Sequence, residues 1–72
     1  MTTYTQTISQ TLKITPQRAR LVEAYLRLQY STLDHLSRLD FVREYHNGGI
    51  SKAIDANIDG AIQLADSFAI PN

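Results

Sequence analysis

The chain has no cysteine and no tryptophan, only three glycines and two prolines, and no surplus of either charge: seven basic side chains balance seven acidic ones over 72 residues. Each absence excludes something. Without Cys there is no disulfide to reinforce a fold and no thiolate for metal or redox chemistry. A zero net charge argues against a dedicated nucleic-acid binder, which carries a concentrated basic face. No apolar run approaches the ~18–20 residues of a membrane span. The opening stretch Met1-Thr2-Thr3-Tyr4-Thr5-Gln6 lacks the basic and apolar regions of a signal peptide, so a cytoplasmic location is the expectation. There is no phosphate-cradling glycine fingerprint and no serine in a nucleophile elbow. His35 and His46 stand eleven residues apart without the close companion that zinc requires. The chain reads as a non-enzyme with no resident cofactor.

What is present is a short, helical-looking sequence that forms one domain, 1–72. A chain of this size buries only roughly 60% of its unfolded surface. Its stability must come from apolar packing, a partner subunit or a bound ion. Charge is lopsided despite the zero sum. Lys13, Arg18, Arg20 and Arg27 outweigh Glu23 in the first half, whereas Asp55, Asp59 and Asp66 fill a tail with no positive residue after Lys52. Opposed ends of this kind suit head-to-tail docking or helix pairing.

Periodicity predicts an all-α fold, a small bundle of three or four helices. Tyr4, Ile8 and Leu12 repeat at four-residue spacing, and Thr3 with Gln6 has the form of a capping box. Thr15-Pro16 is the clearest start signal, an N-cap followed by proline at the first helical position. From there to His46 neither Gly nor Pro interrupts the chain. Leu33, Leu36 and Leu39 project into the same sector as Leu21, Val22 and Tyr25, which favours one long central helical region over 16–46; Ser31-Thr32-Leu33-Asp34 offers an alternative restart. Uninterrupted, that helix measures ~46 Å, far beyond the ~11 Å radius of gyration of a domain this size, and so implies a dimer. Asn47-Gly48-Gly49 ends the region. A C-terminal amphipathic helix over 50–69 follows, with Ile50, Ile54, Ile58, Ala61, Ile62, Ala65, Phe68 and Ala69 in a sector ~120° wide.

Residues 55–66 carry the one chemically suggestive pattern. Asp55, Asn57 and Asp59 put oxygens at alternate positions, Gly60 follows, and Asp66 closes the twelve. The stretch resembles the calcium loop of the EF-hand family, in particular its dockerin type, which often has an aliphatic residue at position four. The resemblance implies a calcium site in which Asp55, Asn57, Asp59 and Asp66 supply side-chain oxygens, Ala61 its carbonyl, and Gln63 a direct or water-mediated contact. The competing reading is a helix. Asp55, Asp59 and Asp66 then lie within ~40° of one another beside the Ile/Ala stripe, as a solvated acidic face. The helix accounts for every isoleucine at once and is preferred.

Leu21, Val22, Tyr25, Leu26, Leu28 and Tyr30 cover more of the central helix than one short neighbour buries, and left exposed they form a large apolar patch. These six are the expected interface. The first functional expectation is therefore a protein-interaction or regulatory module, a homodimer presenting helix faces to a protein partner. A calcium-binding module on residues 55–66 is the alternative. A small nucleic-acid-binding regulator using Arg18, Arg20 and Arg27 ranks third.

Overall fold

A computed structural model describes residues 3–29 and 38–71, and these residues form five helices: α1 (Tyr4–Leu12), α2 (Pro16–Gln29), α3 (Arg38–Asn47), α4 (Ile50–Ala56) and α5 (Ile58–Ser67). No strand occurs among them. The all-α expectation holds, with more and shorter helices than the three or four anticipated.

Local chemistry sets most boundaries. Thr3 and Gln6 make the full capping box of α1: the Gln6 N–H donates to Thr3 Oγ1 at 3.2 Å, and the Thr3 N–H donates to Gln6 Oε1 at 3.1 Å. Lys13 ends α1 in the left-handed region, φ 57°. Thr15 caps α2 through its Oγ1, which accepts from the Arg18 N–H at 3.2 Å. Gly49, at φ +83°, lets the chain turn from α3 into α4 at a backbone conformation that side chains disfavour.

The expected 50–69 helix is two helices, and Asn57 is the reason. Its backbone is non-helical, φ −149° and ψ 75°. It closes α4 with an N–H shared between the Ala53 and Ile54 carbonyls. Its side chain then opens α5, Oδ1 accepting from the Gly60 N–H at 3.0 Å. A Cβ on Gly60 would lie 2.2 Å from Asn57 Nδ2, so glycine leaves the room in which the cap sits. At the far end α5 finishes in a Schellman arrangement. Ala69 takes φ 56°, the Ala69 N–H bonds to the Asp66 carbonyl at 3.0 Å, and the Ile70 N–H bonds to Ala65 at 3.1 Å.

Helix α2 is the centre of the molecule. From Ala19 to Leu26 every residue is buried except the half-buried Tyr25, because α1 and α5 pack on it extensively and α4 closes a third side. Ile8, Val22, Leu26 and Ile54 are its fully enclosed large side chains, with Phe41, Ile50 and Ile70 completing the core. Tyr4 and Phe41 meet edge to face, with ring centres 6.2 Å apart, and join α1 to α3. Glu23, only 2% exposed, lies within this core. Burial raises its carboxyl above the usual range, and the Arg27 guanidinium 3.9 Å away, one turn on, pulls it back. The radius of gyration is 10.9 Å, the value of ~11 Å expected for one compact chain of this length. Whether 16–46 is continuous depends on residues 30–37, which lie outside the described residues; α2 and α3 are described as separate helices.

Candidate functional site

Two arginines of α2 reach across to the C-terminal segment. Arg20 is 8% exposed; its Nε donates to the Ile70 carbonyl at 2.9 Å and its Nη2 pairs with the Asp66 carboxylate. It thus holds the chain just beyond α5 on the buried side of the molecule. Arg18 reaches α4, with Nη2 2.8 Å from Asp55 Oδ1, 3.2 Å from the Ser51 carbonyl and 3.3 Å from Ser51 Oγ. Burial works against the charge on Arg18, but hydrogen bonds to Tyr45 and Asp55 outweigh it and hold the guanidinium above its ordinary value. Tyr45 is drawn below the usual phenol range, first by its hydrogen bond with Ser51 and then, against burial, by Arg18. Basic front and acidic tail therefore pair within one chain, through α2, α4 and α5.

Beside the Arg20–Asp66 contact lies a groove of about 330 Å³ lined by Gln17, Arg20 and Leu21 of α2 and by Ile58 and Ile62 of α5. Ile58 is 43% exposed and Ile62 40%. They stand one turn apart on the same edge of α5, with the nearly buried Leu21 between the two helices. The corner between α3 and α4 holds a second concavity of about 270 Å³, lined by Tyr45, His46, Asn47, Gly49, Ser51 and Lys52.

The expected interface divides. Leu21, Val22 and Leu26 lie in the core of a single chain, because α1, α4 and α5 cover the faces that had seemed to need a second copy. Tyr25 is half-buried against that core, Leu28 is 62% exposed near the end of α2, and Tyr30 lies outside the described residues. The proposed calcium ligands are likewise not drawn together. Residues 58–67 are helical, Asn57 spends its oxygen on the α5 cap, and Asp55 and Asp66 turn to different arginines. Ala61 is fully buried against α2, while Asp59 and Gln63 are exposed. Among the described residues, no group of three or more His, Asp or Glu side chains is placed to hold a metal ion. Nor is any helix among them long and apolar enough to cross a membrane.

Sequence reasoning missed the groove because it placed Ile58 and Ile62 in the core. The lopsided charge was the signal for the Arg18 and Arg20 contacts, read there only as a general tendency to pair. The chain matches no protein-family model, no curated protein and no solved structure.

Proposed function

We propose that this chain is a non-enzymatic protein-interaction module that docks an apolar segment of a protein partner in the α2–α5 groove. The observation that carries the reading is the pair Ile58 and Ile62, each about two-fifths exposed beside Leu21 although Ile50, Ile54, Ala61 and Ala65 of the same stripe are buried. Fully burying an isoleucine is worth ~1.5–3 kcal/mol, so covering the exposed part of these two contributes roughly 1–2 kcal/mol in all. That supports a weak or regulated contact, in which further affinity comes from neighbouring groups. Asp59 lies exposed in the first turn of α5, next to Ile58 in the chain, so a partner with a basic edge near its apolar anchors fits best.

A second copy of the chain is the simplest such partner. Two α5 helices packed antiparallel would set Ile58 of each against Ile62 of the other, a self-complementary contact of the kind twofold dimers use. The homodimer reading thus moves from α2, whose Leu21, Val22 and Leu26 are covered within the chain, to α5. Light scattering over a dilution series tests it on the wild type and on a variant carrying Ile58→Asp and Ile62→Asp. The expected result is a concentration-dependent dimer that the variant loses while keeping its helical circular dichroism. A monomer mass for the wild type at the highest concentration would remove self-association through this groove.

A further inference from the structure

We propose that the corner between α3 and α4 binds a small phosphate-type anion. The concavity there, about 270 Å³, is much larger than the ~30 Å³ share of one water and lies just below the ~300–1,000 Å³ of drug-sized pockets. It is the size for a tetrahedral oxyanion with part of its hydration, or a small phosphate ester. Its lining is the chemistry that such a group needs. Lys52 brings a positive charge, His46 an imidazole, Tyr45 and Ser51 hydroxyls, and Asn47 an amide; the lining contains no carboxylate.

Of the charges around the lining, Lys52 is the one that favours an anion. Asp55, the acidic residue of α4, is tied to Arg18 at 2.8 Å. Glu44 is outside the lining, but its carboxylate lies beside Gly48 and opposes an anion from that edge. Lys52 is exposed and makes no ion pair among the described residues. The carbonyl end of α3 also faces this corner and opposes an anion, but a helix end carries only about half an elementary charge. Lys52 alone exceeds that. The site is also built in advance: Arg18 holds Ser51 by two hydrogen bonds, Tyr45 is bonded to both, and the His46 ring stands edge-on to Tyr45 at 5.1 Å. A ligand would therefore order mainly the Lys52 and His46 side chains. This proposal is independent of the α2–α5 groove and shares no residue with it.

The test is a titration of the ¹⁵N-labelled full chain with inorganic phosphate at constant ionic strength, using chloride as the comparison. Saturable shifts at the Asn47, Gly49, Ser51 and Lys52 amides with phosphate and not with chloride are expected. Lys52→Gln should weaken binding about tenfold, the loss of one charge-assisted contact, and His46→Gln should weaken it by less. Both side chains are exposed, so unchanged circular dichroism is expected of both variants. Glycerol phosphate and vesicles containing phosphatidic acid separate the two sources of such a group. Tighter binding of the soluble ester assigns a metabolite; tighter binding of the vesicle, lost in Lys52→Gln, assigns a lipid headgroup. Equal shifts with chloride, or an affinity for phosphate that is unchanged in Lys52→Gln, overturn the site.

Discussion

Ile54 and Ile58 are the same residue type one helical turn apart in the sequence, yet the first is fully enclosed and the second is 43% open. An unbroken helix would have set them within about 40° of each other, on one face. The break at Asn57 divides their fates. In α4, Ile50 and Ile54 point into the core, whereas in α5 the inward positions belong to Ala61 and Ala65, with Leu64 and Phe68 half-buried beside them. Small side chains let α5 approach α2 closely, and Ile58 and Ile62 are left on the flank. Periodicity thus identifies an apolar stripe; the size of its members and a single cap decide which part faces inward.

The largest test of this contrast is truncation. Ile54→Ala should cost ~2–5 kcal/mol, as for a buried aliphatic whose cavity does not collapse. A chain of this length has a total stability of only roughly 4–11 kcal/mol. Ile58→Ala and Ile62→Ala should each cost less than ~1 kcal/mol, since much of each side chain is already in water. Urea melts of the three variants measure the difference. Equal costs at Ile54 and Ile58 would show that the α5 flank is buried, and the docking groove would go with it.

Several start and stop signals were legible because they are local. Thr3 with Gln6, Thr15-Pro16 and the glycine turn before Ile50 each act within four residues of themselves, and all three lie where the pattern put them. The split of 50–69 was hidden because Asn57 sits inside a continuous apolar repeat, and the repeat carries no information about one residue's backbone angles. Gly60 was ambiguous for the same reason. As a helix interior residue it is a cost, as loop position six it is a turn, and its actual use, leaving space for a neighbour's cap, needs the three-dimensional contact. The cross-chain pairs were out of reach: Arg18 meets Ser51 across 33 residues and Arg20 meets Asp66 across 46. The candidate site inherits these limits. The groove exists only once α5 is turned by its cap and held by Arg20, so neither the 55–66 pattern nor the α2 leucines indicated it.

Arg20 supplies the next test, because it fixes how α5 ends against α2. Arg20→Met keeps most of the apolar stem but leaves the Ile70 carbonyl without its donor and Asp66 without its ion partner. Removing one partner from a buried polar contact costs ~1–3 kcal/mol. Asp66→Asn should cost under ~1 kcal/mol, because the Asp66 side chain is 64% exposed and water replaces the lost contact. Chemical denaturation gives both values. A larger loss for Asp66→Asn than for Arg20→Met would mean that the ion pair, and not the carbonyl contact, holds this end of the molecule.

The smallest effects isolate the break itself. Asn57→Ala removes the side-chain cap of α5 and should cost about 1 kcal/mol, within the ~0.5–2 kcal/mol of such changes. Gly60→Ala normally stabilises a helix by up to about 1 kcal/mol. Here the new methyl would meet Asn57 Nδ2 at 2.2 Å and Cγ at 2.8 Å, so the cap must move and the gain should vanish or reverse. With Asn57 already replaced by alanine that obstruction is gone, and Gly60→Ala should recover its usual benefit. The two substitutions are therefore predicted to couple: the double variant should be more stable than the sum of the single effects, by roughly 0.5–1 kcal/mol. A double-mutant cycle from urea melts measures that term. Strict additivity would separate Gly60 from the cap and leave the division between α4 and α5 to Asn57's backbone alone.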